Sequence, residues 1–139
     1  MQERMDLAAK GDFSGPIFKY ARQFKEADEI VIAAPYWDMA FPSLLKIYLE
    51  YICAVELTFS YDEKEQPYGL CRAKRLIYVT TAGSPIEKNM GFDYVKALAE
   101  DFFDIEDVVC FKADSLDLAG ADVKGILRKT MAEIDGYAF

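Results

Sequence analysis

The sequence contains no histidine. That excludes Ser-His-Asp and Cys-His hydrolysis and the common zinc sites, all of which need an imidazole. Cysteine is scarce. Cys53, Cys71 and Cys110 are an odd number at wide spacing, with no C-x-x-C pair. They read as buried or free thiols of a reducing cytoplasm, and the lack of an activating imidazole argues against a catalytic cysteine. Basic residues are in the minority, 16 against 24 acidic, for a formal charge of -8. Nucleic acid, whose phosphates demand a basic patch, is therefore not an expected partner. No apolar run approaches the ~20 residues that span a membrane. The charged start MQERMDLAAKGD lacks the apolar stretch of a signal peptide. An enzyme built on this chain must take its chemistry from a cofactor, or rely on carboxylates, tyrosines and backbone dipoles.

What is present is apolar bulk. The chain has 139 residues, 53% hydrophobic and 14% aromatic, enough for one domain, residues 1–139, with a substantial core. Helices and strands alternate. Residues 2–9 read as a short polar helix ended by Gly11. Ser14 is the expected N-cap of a helix over 16–27, with Pro16 in its first turn and Ile17, Tyr20, Ala21 and Phe24 on one face. Ile30–Ala34 reads as a strand. Pro42 opens a helix to residue 54 that is apolar on nearly all sides and so is expected to be buried in the domain or a subunit interface. Segment 55–72 reads as irregular, broken at Pro67 and Gly69. Leu76–Thr81 is a second buried strand. Residues 86–91 are loop, and helix 92–103 places Phe92, Val95, Leu98, Ala99 and Phe102 on one stripe. Val108–Ala113 is a third strand. The last helix, 121–135, is expected to turn Val123, Leu127, Met131 and Ile134 inward. The order implies right-handed crossovers and a three-stranded parallel sheet, thin for so much apolar sequence.

The run IVIAAPYWDMAFP at 30–42 is the most informative. Ile30–Ala34 has the look of a strand buried on both faces, as in parallel sheets covered by helices on each side. Ligands of such sheets bind at the carboxyl ends of the strands, where Tyr36 and Trp37 fall. On the bare pattern the pair is equally well read as aromatics that cap the sheet.

Four segments in register resemble the FMN-dependent NAD(P)H:quinone oxidoreductases and azoreductases of the flavodoxin-like fold. ADEIVIAAPYWDMAFPSLLKIYLEYI is similar to that family's third strand, flavin loop and following helix. Leu57–Tyr61 resembles the segment before its small hairpin. Ala73–Ser84 resembles its fourth strand and loop, and Phe102–Val108 the approach to its fifth strand. The resemblance implies an α/β, flavodoxin-like three-layer sandwich with a parallel sheet, N-terminally truncated to about three strands. It puts Pro35, Tyr36, Trp37, Asp38 and Met39 around the FMN ring, with Thr80, Thr81, Ala82, Gly83 and Ser84 closing the other side. It implies NAD(P)H as co-substrate, a quinone, azo or related acceptor, and a homodimer or higher homo-oligomer.

Three departures accompany the resemblance. The family's first strand, phosphate-cradling loop and second strand have no counterpart here, so FMN is expected to be weakly bound or absent and the edge of strand 30–34 to need cover. The loop's usual asparagine is Asp38, and the second glycine of the fourth-strand loop is Ser84. A carboxylate of Asp38 at the ring would lower its reduction potential. The alternative function is a shortened, non-catalytic binding or assembly module of the same fold that has lost FMN.

Overall fold

The computed structural model describes residues 2–137. Three parallel strands, β1 (Ile30–Ala33), β4 (Arg75–Thr81) and β5 (Asp107–Ala113), form a sheet in the order β1-β4-β5. The register sets Ile32 and Cys110 on either side of Tyr78. This is the α/β arrangement with a three-stranded parallel sheet that was expected, and the central strand carries the core: Leu76, Ile77 and Tyr78 are all buried.

One face of the sheet is filled. α2 (Lys19–Glu26), α3 (Ser43–Ile52) and α4 (Met90–Phe102) bring Phe24, Leu49, Ile52, Val95 and Ala99 onto Ile30, Ile32, Leu76 and Tyr78. Phe59 and Phe103 extend that cluster, and Phe103 packs tilted against Phe24 with ring centroids 4.9 Å apart. Side chains alternate across a strand, so Phe111 and Ala113 point the other way, where α5 (Val123–Asp135) crosses β5. There Thr130 donates its hydroxyl to the Lys112 carbonyl at 3.0 Å and Tyr137 meets Phe111.

That second face is only partly covered, which corrects two expectations. β1 is buried on one face, not two: Ile30 and Ile32 are inside, while Val31 is 63% exposed and Ala33 is exposed as well. A lone helix on this side reaches β5 but not β1. For the same reason α5 turns Thr130 inward with Ile126 and Ile134 half-buried, and Val123, Leu127 and Met131 stay exposed. On the filled face, α3 is not buried by the domain alone. Leu49 and Ile52 are buried, but Leu44 is 75% exposed, and Ile47 and Tyr51 lie on the same open side.

The N-terminal part forms a second cluster. α1 (Gln2–Ala9) packs Leu7 and Ala8 near Phe18, Ala21, Ala54 and Leu57. Arg4 donates to the carbonyls of Glu50, Tyr51 and Cys53 at 2.8–3.0 Å, satisfying the free acceptors at the negative end of α3. The expected helix 16–27 begins instead as a 3-10 turn, Pro16–Phe18, which rotates the stripe to Phe18, Ala21 and Phe24 and leaves Tyr20 outside. Ser14 is not its cap; it donates to the Asp12 carboxylate, and Gly15 holds the cap position without a side-chain bond. Segment 55–72 is more regular than its sequence suggests. β2 (Phe59–Tyr61) and β3 (Pro67–Gly69) pair as a small hairpin. Pro67 sits at a strand start, and a side chain at Gly69 would overlap the Phe103 carbonyl.

The contrast within α3 is testable. Leu49→Ala is expected to cost about 2–5 kcal/mol, as for a filled core position, whereas Leu44→Ala should stay within about 0.5 kcal/mol. Urea denaturation of the two variants reads both values.

Candidate functional site

The hydrogen-bond ladder between β1 and β4 continues past the end of β1. Ala34 N–H donates to the Val79 carbonyl at 3.0 Å and Tyr36 N–H to the Thr81 carbonyl at 2.9 Å. The chain then reverses within Trp37–Ala40, where Ala40 N–H donates to the Trp37 carbonyl at 2.8 Å. Asp38 (φ 50°) and Met39 (φ 67°) occupy the centre of this turn in the left-handed region, as a type I′ turn requires. That conformation costs an L-residue about 1–2 kcal/mol. The start of α4 holds the turn in place. Met90 N–H donates to the Met39 carbonyl at 3.0 Å. Gly91 allows the approach, since a Cβ there would stand 2.8 Å from the Phe41 ring and 2.9 Å from the Ala40 carbonyl carbon.

The turn displays what a core would hide. Trp37 is 59% and Met39 46% exposed, Pro35 and Asp38 are exposed, and Tyr36 is half-buried. The amides of Asp38 and Met39 make no hydrogen bond to another described residue. Opposite them stands the end of β4. Thr80 is 2% exposed, and its hydroxyl has no hydrogen-bond partner among the described residues. Ala33, Ala34, Pro35, Val79, Thr80 and Thr81 line an open depression of about 280 Å³. A second, of about 320 Å³, lies between Tyr36, Met39, Pro85, Glu87 and Lys88. The Tyr36 hydroxyl closes the far side by donating to the Lys88 carbonyl at 2.9 Å.

The two expected groups thus converge in part. Pro35, Tyr36, Met39, Thr80 and Thr81 line the cavities, with Trp37 and Asp38 at the rim of the same turn. Ala82, Gly83 and Ser84 line neither; they bond to 113–117, and the space a side chain at Gly83 would need is taken by the Asp117 carboxyl. The wall formed by Pro85, Glu87 and Lys88 was not expected from sequence. Its signal was Pro85, which lacks an N–H and cannot extend a strand, so the chain must turn across the strand ends. An apolar turn with spare amides, a mixed wall of Pro85, Glu87 and Lys88, and an unpartnered buried hydroxyl at Thr80 suit a flat heteroaromatic ring with a polar edge.

The thiols take no part. All three cysteines are free. Burial pushes the Cys71 thiol up to about 12 and the Cys110 thiol up to about 11. Burial also raises Cys53, although Arg4 opposes it. A further cavity of about 520 Å³ lies among Arg4, Met5, Ala8, Phe18, Cys53, Ala54 and Tyr94. Its cation, Arg4, is committed to the end of α3.

Known proteins resemble this arrangement. The profile of a family described as flavodoxin-like fold matches residues 8–137. The FMN-dependent NADH:quinone oxidoreductase 2 of Clostridium acetobutylicum is 42% identical over 121 residues, which are 83% of this chain and 60% of that protein. The FMN-dependent NADH:quinone oxidoreductase of Caldicellulosiruptor saccharolyticus is 35% identical over 129 residues, 88% of this chain and 63% of that protein. The chain therefore spans 60–63% of the length of these two relatives. The crystal structure of an azoreductase from Bacillus anthracis superposes with a TM-score of 0.78 at 24% identity, over 96% of this chain and 70% of that one, a likeness of fold.

The buried acids make alkali destabilising. The Cys71 and Cys110 thiols, and Tyr78, which burial raises to about 12, all have folded values above their ordinary ones. Their contribution is complete below an ordinary thiol value of 9.0 and is lost as pH climbs toward 11–12. The melting temperature is expected to hold near neutrality and fall above that onset in a calorimetric pH series. Iodoacetamide at neutral pH should label the native chain roughly tenfold more slowly than the unfolded one, since the thiolate is the reactive form.

Proposed function

The chain belongs to the flavodoxin-like-fold family, and from that premise we propose that residues 1–139 form the ring-binding part of an FMN-dependent NAD(P)H oxidoreductase with a quinone, azo compound or related molecule as acceptor. The names of its relatives support the class. The observation that carries the reading is the exposed wall at Trp37 and Met39, beside free amides and the unpartnered Thr80 hydroxyl. FMN, when bound, supplies the redox chemistry by taking hydride from the nicotinamide and delivering it to the acceptor.

This chain's residues then bind and orient. Trp37 and Met39 offer apolar surface to the ring face. The amides of Asp38 and Met39 donate to its polar edge, and Thr80 provides a hydroxyl that already lacks a partner. Tyr36, tied to Lys88, spans the cleft and keeps the two walls at one separation. Asp38 is exposed at the tip of the turn; its carboxylate opposes negative charge on a nearby ring and so favours the oxidised form. Pro35 and Thr81 complete the proposed contact set, while Ala82, Gly83 and Ser84 brace the loop behind it through their bonds to 113–117.

The open side of α3 supports a second copy as partner. Leu44, Ile47 and Tyr51 form an i, i+3, i+7 row of exposed apolar side chains that begins just after the Trp37–Ala40 turn. A homodimer through this row would shield both the row and the cleft. No helix among the described residues is long and apolar enough to cross a membrane.

Trp37 is the only tryptophan, so its emission reports the cleft directly. FMN titration is expected to quench it, and Trp37→Ala to weaken flavin binding while changing stability by less than about 1 kcal/mol, since the ring is mostly exposed. Unchanged emission at saturating FMN would remove Trp37 from the site. Light scattering at micromolar concentration should give a dimer or larger species, and Leu44→Glu with Ile47→Glu should shift it to the monomer.

A further inference from the structure

The loop after β4 is fastened in two stages, and the second stage is made by side chains. Near the strand the fastening is backbone. Ala82 N–H donates to the Ala113 carbonyl at 3.0 Å, Leu116 N–H to Ala82 at 3.1 Å, Asp117 N–H to Gly83 at 2.9 Å and Ser115 N–H to Ser84 at 3.2 Å. Pro85, without an N–H, interrupts this ladder. Beyond it the hold passes to Lys112 and Asp114, two residues apart at the end of β5 and so on one side of the strand. Ile86 N–H donates to Asp114 Oδ2 at 3.1 Å. Lys112 Nζ donates to the Ile86 carbonyl at 3.2 Å and to the same Asp114 oxygen at 2.9 Å. Both backbone groups of Ile86 are therefore gripped by one ion pair, while its side chain is buried. The Ser115 hydroxyl donates to the other carboxylate oxygen at 3.2 Å. Two residues on, the Lys88 carbonyl accepts from Tyr36.

A continuous tie thus runs from β5 through Ile86 and Lys88 to Tyr36 in the first wall. We propose that Lys112 and Asp114 are a positioning pair for the flavin cleft, fixing the 85–88 wall through Ile86 and with it the separation between that wall and the Trp37–Ala40 turn. The proposal rests on the flavin reading of that cleft. Neither residue lines the two cavities at the strand ends. Each acts through the backbone of Ile86. The carboxylate is held charged for this task, since the Lys112 ammonium keeps the Asp114 carboxyl below its ordinary value. An ion pair alone at this exposure would matter little to stability; gripping both polar groups of one backbone unit gives it a geometric role instead.

The test uses the chain itself and riboflavin, which carries the ring without the phosphate. Riboflavin affinity is read from equilibrium dialysis, with Trp37 quenching beside it, and amide hydrogen exchange is followed over 82–88. Asp114→Ala is expected to weaken riboflavin roughly tenfold, a change of about 1.4 kcal/mol, and to speed exchange at Ile86, whose amide it holds, while amides in the middle of α4 stay protected. Asp114→Asn keeps an acceptor for Ile86 N–H and should recover most of the affinity. Lys112→Met should show a smaller loss. If the wild-type chain binds riboflavin and the variants bind it equally well, the positioning role is overturned and the flavin reading stands. If melting temperatures fall but the folded fraction keeps full affinity, the pair is structural only and the role is again overturned. If the wild-type chain binds no riboflavin, the flavin reading falls and takes the role with it. Should Asp114→Ala fail to fold, Lys112→Met and Asp114→Asn decide, and unchanged affinity in Lys112→Met overturns the proposal.

Discussion

β4 is the strand on which the rest of the molecule hangs, because it alone is hydrogen-bonded along both edges. Seven residues of β5 and four of β1 take their register from it. The cleft walls are continuations of those two ladders. The first leaves β1 through Ala34 and Tyr36, still bonded to the carbonyls of Val79 and Thr81. The second leaves β4 through Ala82, still bonded to Ala113. A shift of one residue in either ladder would turn every alternate side chain to the other face and carry Trp37 or Thr80 out of the cleft. The core on the α2–α4 face makes such a shift costly, since it would drive Tyr78 and Leu76 out of a packed cluster and replace them with Arg75 and Ile77, or with Ile77 and Val79.

Much of this was legible in the sequence because it depends on local runs. Leu76–Thr81 and Val108–Ala113 are short, β-branched and bounded by loop residues, and both are strands to within one residue. The parallel order followed from the helices between them. The first wall was legible because proline and two aromatics follow a strand without a spacer. What could not be read was which apolar faces find a partner. Val31, Leu127 and Met131 have the same apolar character as the buried Ile32 and the half-buried Ile126 and Ile134; whether a face is covered depends on how many elements lie over it, which no local pattern records. The 85–88 wall was missed for a similar reason. It is built by a tie to β5, some two dozen residues away along the chain, and polar loop sequence does not announce which distant side chain will hold it.

The strain in the first wall is informative for the same structural reason. Asp38 and Met39 both adopt left-handed backbone, where Asn and Gly are the usual occupants of such a turn. Methionine at that position has no local hydrogen bond of its own to offset the cost. The turn nevertheless keeps its shape, held by its own pair of backbone bonds, by Met90 N–H and by the room Gly91 leaves. Strain of this size persists where surrounding structure overdetermines it. Its consequence here is to face two consecutive amides and an apolar side chain outward together, which an unstrained turn with Gly at the second position would not do.

The same logic connects the two walls. One is rigid through backbone alone, tied to β4 on one side and to the start of α4 on the other. The other wall is rigid near the strand and would be loose beyond Pro85, where proline ends the ladder. A cleft between one fixed wall and one loose wall has no defined width, and a flat ring binds tightly only to a gap of defined width, because ordering a loop on binding subtracts from affinity. Lys112 and Asp114 supply the missing constraint at the point where the backbone can no longer do so, and Tyr36 carries it across to the strained turn. The width of the cleft is therefore set by β5, the strand farthest from the first wall, through four polar side chains or backbone groups in series. That arrangement accounts for why the charged residues at the end of β5 point back over the loop when open solvent is available to them.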